Sequence, residues 1–285
     1  MFGGELWGVH PRAAYQRKQT AARYAQHLKA LVRVPKSTPT RALLLELGAL
    51  SLHDRWLQCA VRFWNRLLDL PADELHRNVL YDSVVTNIGF ARGLRSACRE
   101  VGWELDVGGA GPSPHRLNCD SIMKLCRAQQ FRAMELAADV DPRSCPTSGA
   151  MFCTYWRWFR RTDMQAREQR RLRSDIFSLP VSAVKVNTLL RFRLGCLAHL
   201  PIVQGRYRNV PRAQRFCPHC PGQVGDEKHL IFDCTAFWHL RHQFSALFVG
   251  QSCVRGFVNQ ESQRDVLHFI CGCVSYSILL MDVLG

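Results

Sequence analysis

The stretch Ser51-Leu52-His53-Asp54-Arg55-Trp56-Leu57-Gln58-Cys59-Ala60-Val61-Arg62-Phe63-Trp64-Asn65-Arg66-Leu67-Leu68 decides the fold class. Leu52, Trp56, Ala60, Phe63, Trp64 and Leu67 recur at steps of three and four, the period of a helix with one apolar face, and Pro71 closes it. Aromatics in such a stripe serve either a core or base stacking; the spacing assigns them to a core. Upstream, residues 11–33 read as a helix with Tyr15, Ala22, Leu28 and Leu31 on an intermittent apolar face. The turn Val34-Pro35-Lys36-Ser37-Thr38-Pro39-Thr40 then starts another, with Thr38 as expected cap, Pro39 at the first helical position and Gly48 as stop. Downstream, residues 72–100 suggest one or two helices, and the Gly/Pro-rich stretch 102–114 reads as a loop or a boundary between lobes. Helices are expected at 119–138, after which a loop spans 141–149. A further helix at 151–173 carries Tyr155, Trp156, Trp158 and Phe159 at one end and arginines at the other, and another follows at 182–193. The apolar stretch 266–284 contains His268, Ser275, Ser277 and Asp282, and reads as a buried terminal helix or strand.

The expected architecture is mainly α: helical bundle-like lobes followed by a small CCHC unit. Its divisions fall at 1–101, 119–180, 181–245 and 246–285, with two lobes meeting near 102–118. The formal net charge of +15 and the 47% hydrophobic content exclude wholesale disorder and suggest a polyanionic partner. Thirteen cysteines scattered through apolar segments, with no secretory leader in Met1-Phe2-Gly3-Gly4-Glu5, fit an intracellular compartment, nucleus or cytoplasm, with no membrane association.

One motif carries sharper chemistry. Cys217 and Cys220 are followed by His229 and Cys234 in the pattern Cys-x2-Cys-x8-His-x4-Cys. Thiolates and imidazole at such spacing suit tetrahedral Zn²⁺, and Pro221, Gly222 and Gly225 let the chain double back. Four protein ligands leave no open position, so one structural Zn²⁺ is expected. A redox C-x-x-C is the rival, though the βαβ context it expects is not evident, and a chance pair of core cysteines is the other alternative; the pair with His229 and Cys234 favours zinc over both. His229 and Cys234 are expected at the start of a helix running through Phe237, Trp238 and Leu240. Upstream, the run from Lys185 to Phe216 holds seven Lys/Arg and no Asp or Glu. Arg191, Arg193, Arg206, Arg208, Arg212 and Arg215 are candidate phosphate contacts, with Tyr207 and Phe216 as candidate stacking groups. A solvated basic face is the alternative.

These residues, in this order, resemble a known family. Leu189-Leu190-Arg191-Phe192-Arg193-Leu194-Gly195, His199-Leu200-Pro201-Ile202, Gly205-Arg206-Tyr207 and Arg215-Phe216-Cys217-Pro218-His219-Cys220 lead to Gly225-Asp226-Glu227-Lys228-His229-Leu230-Ile231-Phe232-Asp233-Cys234 and Arg241. The string is similar to the zinc-binding region at the C-terminus of non-LTR (LINE-type) retrotransposon reverse transcriptases. Glu5-Leu6-Trp7-Gly8, Lys36-Ser37-Thr38-Pro39-Thr40 and Glu46-Leu47-Gly48 resemble the segments between the polymerase core and that region. The resemblance implies zinc at Cys217, Cys220, His229 and Cys234, and RNA or DNA as partner, together with the rest of a reverse transcriptase. It does not bring a catalytic centre: the chain has no Asp-Asp pair to hold polymerase metals, so a non-catalytic C-terminal piece is expected. The alternative is a structural or protein-interaction zinc module derived from a retroelement.

Overall fold

The computed structural model describes residues 14–105, 114–138, 151, 154–156, 158 and 175–284. The described residues are mainly helical, and the β-pairing among them is an isolated bridge between Phe216 and Val224. They divide into two compact units, one within Met1–His27 and Leu50–Leu136, the other within Leu28–Ala49 and Ala137–Gly285. Helix α1 (Ala14–Leu31) contributes to both, and α2 (Thr40–Leu47) belongs to the second.

In the first unit, α3 (Leu52–Leu68) begins with reciprocal capping. The Asp54 amide donates to Ser51 Oγ at 3.1 Å, and Ser51 Oγ donates to the Asp54 carboxylate at 2.7 Å. The buried stripe of α3 is Leu52, Leu57, Ala60, Val61, Trp64 and Leu67, so Trp56 lies at its margin rather than in it. Residues 72–100 form two helices, α4 (Leu75–Val85) and α5 (Gly89–Glu100). Helix α6 (Cys119–Ala138) follows. Leu105, Leu117, Ile122, Met123 and Cys126 join Trp64, Leu94 and Ala97 in one core. Residues on both sides of the Gly/Pro-rich stretch therefore share a core, where sequence reading places a boundary between lobes. Side chains of α3 draw the chain entering α6 onto it: Trp64 Nε1 donates to the His115 carbonyl at 2.9 Å, and the Asn65 amide exchanges two hydrogen bonds with the Leu117 backbone at 2.8 and 2.9 Å.

The second unit contains α7 (Ala183–Arg193), α8 (Pro201–Tyr207), α9 (Trp238–Gln243), α10 (Val254–Val258) and α11 (Gln263–Leu284). Gly48 ends α2 in the left-handed region at φ 59°, as its position after the Leu-rich run predicts. Thr38 does not cap α2: it is buried, and no side chain bonds the helix start. The stretch 266–284 is helical, and α11 packs along α7. No helix among the described residues is long and apolar enough to cross a membrane. Phe248, Phe257 and Phe269 contact one another at ring-centroid distances of 5.2–5.4 Å. Phe232, from the turn between two candidate ligands, joins them at 6.1 Å from both Phe248 and Phe257. These contacts tie the CCHC segment, within the expected division 181–245, to the helices of the expected division 246–285. The Arg-rich helix expected at 151–173 lies mostly outside the described residues, as does the loop at 141–149.

Trp64 is fully buried and carries a hydrogen bond, so Trp64→Ala should cost about 3–5 kcal/mol of stability, read from the denaturation of the first unit.

Candidate metal centre

Cys217 lies directly after the Phe216–Val224 bridge. Its amide donates to the Gln223 carbonyl at 2.7 Å, and the Gln223 amide returns to the Cys220 carbonyl at 3.1 Å. The two cysteines are thereby held on one tight knuckle. Gly222 turns it at φ 77°. Gly225 closes it where a side chain has no room, since a Cβ there would stand 2.7 Å from Pro201 Cγ and 3.2 Å from Cys217 Cα. The Gly225 carbonyl accepts from the Ile202 amide at 3.1 Å, which fastens the knuckle to the start of α8.

The other half is a single π-helical turn, His229–Asp233. Asp226 starts it by accepting the His229 amide at 3.0 Å through Oδ1. Cys234 is extended (φ −66°, ψ 120°) and breaks the chain between this turn and a 3₁₀ turn at Thr235–Phe237. The continuous helix expected from His229 to Leu240 is therefore three short pieces. The break aims both the imidazole and the thiol at the knuckle. Arg241 Nη2 donates to the Cys234 carbonyl at 2.5 Å and fixes the break from α9.

Cys217, Cys220, His229 and Cys234 come together as a buried group whose ligand atoms all lie within 4.8 Å of one another, and which can hold a metal ion. Sγ of Cys234 stands 3.7 Å from Sγ of Cys217 and 3.9 Å from Sγ of Cys220. A disulfide would need about 2 Å. Four ligands at about 2.3 Å from a tetrahedral centre place their sulfurs about 3.8 Å apart, which these distances match. Nε2 of His229 is buried without a hydrogen-bond partner, as a nitrogen kept for a metal would be. The Thr235 amide donates to Cys220 Sγ at 3.4 Å, which orients that sulfur. In the metal-free cluster, the hydrogen bond with Cys234 pulls the Cys217 thiol down to about 4, against the effect of burial, and the His219 amide adds to it. The same contact pushes Cys234 upward.

The expected phosphate contacts differ in what holds them: Arg206, Arg212 and Arg215 lie close enough to act on one another, and several of the set are bonded within the protein. Arg193 is withdrawn from solvent: it is 2% exposed and its Nε pairs with Glu46 Oε2 at 3.0 Å, while Tyr155 Oη donates to the other oxygen of Glu46 at 2.9 Å. Arg191 donates to the Arg33 carbonyl, Arg206 to the Gly195 carbonyl at 3.0 Å, and Arg215 to the Val210 and Ile202 carbonyls at 2.8 and 3.0 Å. These guanidiniums brace the chain around the knuckle. Arg212 is half exposed, bonds Asp226 Oδ2 at 3.0 Å and lies over the Trp158 ring at 5.9 Å. Arg208 and Tyr207 are exposed, as is Phe216. Glu227 is buried with neither oxygen hydrogen-bonded; burial lifts its carboxyl to about 6, and Arg206 and Arg212 oppose the shift. Sequence reading missed Asp226 as the organiser of the second half-site, although Asp-x-x-His has the spacing of a capped helix start. It also missed Phe232, whose partners are far along the chain.

No protein-family model, curated protein or solved structure matches the chain.

Gly225→Ala should force the knuckle away from Pro201 and Cys217. We expect metal affinity to fall about 10- to 100-fold, measured by competition with a chromogenic chelator.

Proposed function

We propose that the protein is a zinc-stapled module that binds RNA or DNA through phosphate, akin to the C-terminal zinc-binding region of LINE-type reverse transcriptases and without polymerase chemistry of its own. The observation that carries the reading is the tetrahedral spacing of the four buried donors, set within the string that resembles that region. Three thiolates and one imidazole select a borderline-soft ion, and Zn²⁺ fits both donor set and geometry. All positions being filled by protein, the ion is structural and does not activate water. Lys185, Arg208 and Lys228 are exposed, and with half-exposed Arg212 they are among the charges available to a polyanion.

A structural or protein-interaction module is the second reading. It is favoured by one observation: Arg191, Arg193, Arg206 and Arg215 are committed to internal carbonyls or Glu46. Salt dependence separates the two. Phosphate contacts give a falling log–log plot of affinity against salt, about 0.7–0.9 per contact.

Two outcomes are expected. The purified, reduced chain should carry about one zinc per molecule, and Cys220→Ser should lose it and unfold the surrounding segment, because metal binding and folding are one free energy in such units. Replacing Arg208 and Lys228 together by Ala should flatten the salt slope by about one to two units with zinc retained, whereas Arg215→Ala should disturb the knuckle itself. An unchanged slope in the double variant, measured between 50 and 200 mM salt as about the useful range, would favour the interaction module.

A further inference from the structure

The nucleic-acid reading leaves a large aromatic surface beside the metal turn unused. Trp238 is 65% exposed, although its neighbours Phe237 and Leu240 are buried at 4% and 9%. Trp64, in the first unit, shows that this chain buries an indole fully where a core requires one. Trp238 opens α9, four residues after the ligand Cys234. One turn later, His242 faces it with ring centroids 5.7 Å apart and planes inclined by 33°. The helix beneath is held from several sides. Arg241 grips the Cys234 carbonyl, Phe237 packs edge-on to Tyr276 at 6.3 Å, and His239 lies 4.6 Å from the same ring. The turn that carries the indole is therefore anchored before any ligand arrives, which lowers the entropy lost on binding.

Charge points to the occupant. Residues 235–260 contain no Asp or Glu, while His239, Arg241, His242 and Arg255 lie among them; Asp233 is the acid nearest in sequence on the N-terminal side. An exposed aromatic carried on an acid-free stretch of chain, with His239 and His242 beside it, suits a flat group that itself carries negative charge nearby. A nucleobase with its phosphates is such a group, and only an unpaired base offers a free π-face.

We infer that Trp238, backed by His242, is a stacking platform for an unpaired base, so that the protein takes single-stranded RNA or DNA in preference to duplex. The inference rests on the nucleic-acid reading above and adds its strand preference and its stacking residue. Stacking is tolerant of base identity, so the preference is for strandedness and not for sequence.

The test uses the full chain loaded with zinc, and three probes of about 12 nucleotides or base pairs: oligouridylate, oligothymidylate and a mixed-sequence duplex. Trp238→Ala should weaken binding of both single strands about 5- to 100-fold, leave duplex binding and the log–log salt slope unchanged, and retain zinc. Trp238→Phe should keep most of the affinity, and the quenching of indole emission by oligothymidylate should be smaller in that variant than in wild type. Single-strand affinity equal to wild type in a zinc-loaded Trp238→Ala variant overturns the platform, and with a steep wild-type salt slope it leaves the phosphate reading standing; Trp238 then faces a protein. A wild-type chain that binds none of the three probes overturns both.

Discussion

Three thiols and an imidazole packed within 4.8 Å of one another are the constraint on which the second unit depends. The contact between Cys217 and Cys234, which shifts the two thiols in opposite directions, stands where a cation would be held. With one, the free energy of metal binding becomes folding free energy, of order 10–16 kcal/mol in small zinc-bound units. That magnitude would suffice to hold the 217–234 stretch in one geometry with little regular structure. It contains an isolated bridge, a two-glycine turn and one π-helical turn, none of which would be stable alone. The surrounding groups orient the ligands: Asp226 on the His229 amide, Thr235 on Cys220, Arg241 on the Cys234 carbonyl. Each acts on a ligand's backbone or sulfur, so each sets direction more than affinity.

The arginines illustrate why net charge overstates an electrostatic footprint. A guanidinium offers five donors in a planar fork and can satisfy carbonyls left over where short elements meet. Arg215 does this between α8 and the knuckle, lying over Gly205 so closely that a Cβ there would meet it at 2.5 Å. Arg193 goes further and is buried against Glu46 and Tyr155, tying α7 to α2. Removing one partner of such a pair leaves an uncompensated buried charge, a loss of about 3–5 kcal/mol. The positive charge that remains accessible is therefore smaller and differently placed than the acid-free run from Lys185 to Phe216 suggests.

The aromatic residues divide in the same way. Phe232, Phe248, Phe257 and Phe269 bind the metal turn to the C-terminal helices through edge-to-face contacts. Trp238, on the adjoining helix, stays in solvent. Apolar character alone does not tell these roles apart, because Phe237 and Trp238 are neighbours in the chain with opposite burial.

Much was legible in the sequence where the signal is local. Period and turn chemistry placed α3, α6 and α7, and the Gly48 stop, because a helix's apolar stripe and its terminating glycine lie within a few residues of each other. The cluster of Cys217, Cys220, His229 and Cys234, which can hold a metal ion, was legible too, since its spacing is itself the geometric requirement. Contacts between distant residues were not. Glu46 with Arg193, Trp64 with His115, and Phe232 with Phe257 are pairings that no local period encodes. The same distance dependence hides the role of the stretch near 102–118: it reads as a loop or a boundary between lobes, and Leu105 and Leu117 enter the core that α3 joins. What the sequence by itself determined is a mainly helical chain with a CCHC group. Tertiary structure alone decided which arginines are struts, which aromatics are core and which side chains stay exposed, because burial depends on what packs across from a residue and not on what precedes it.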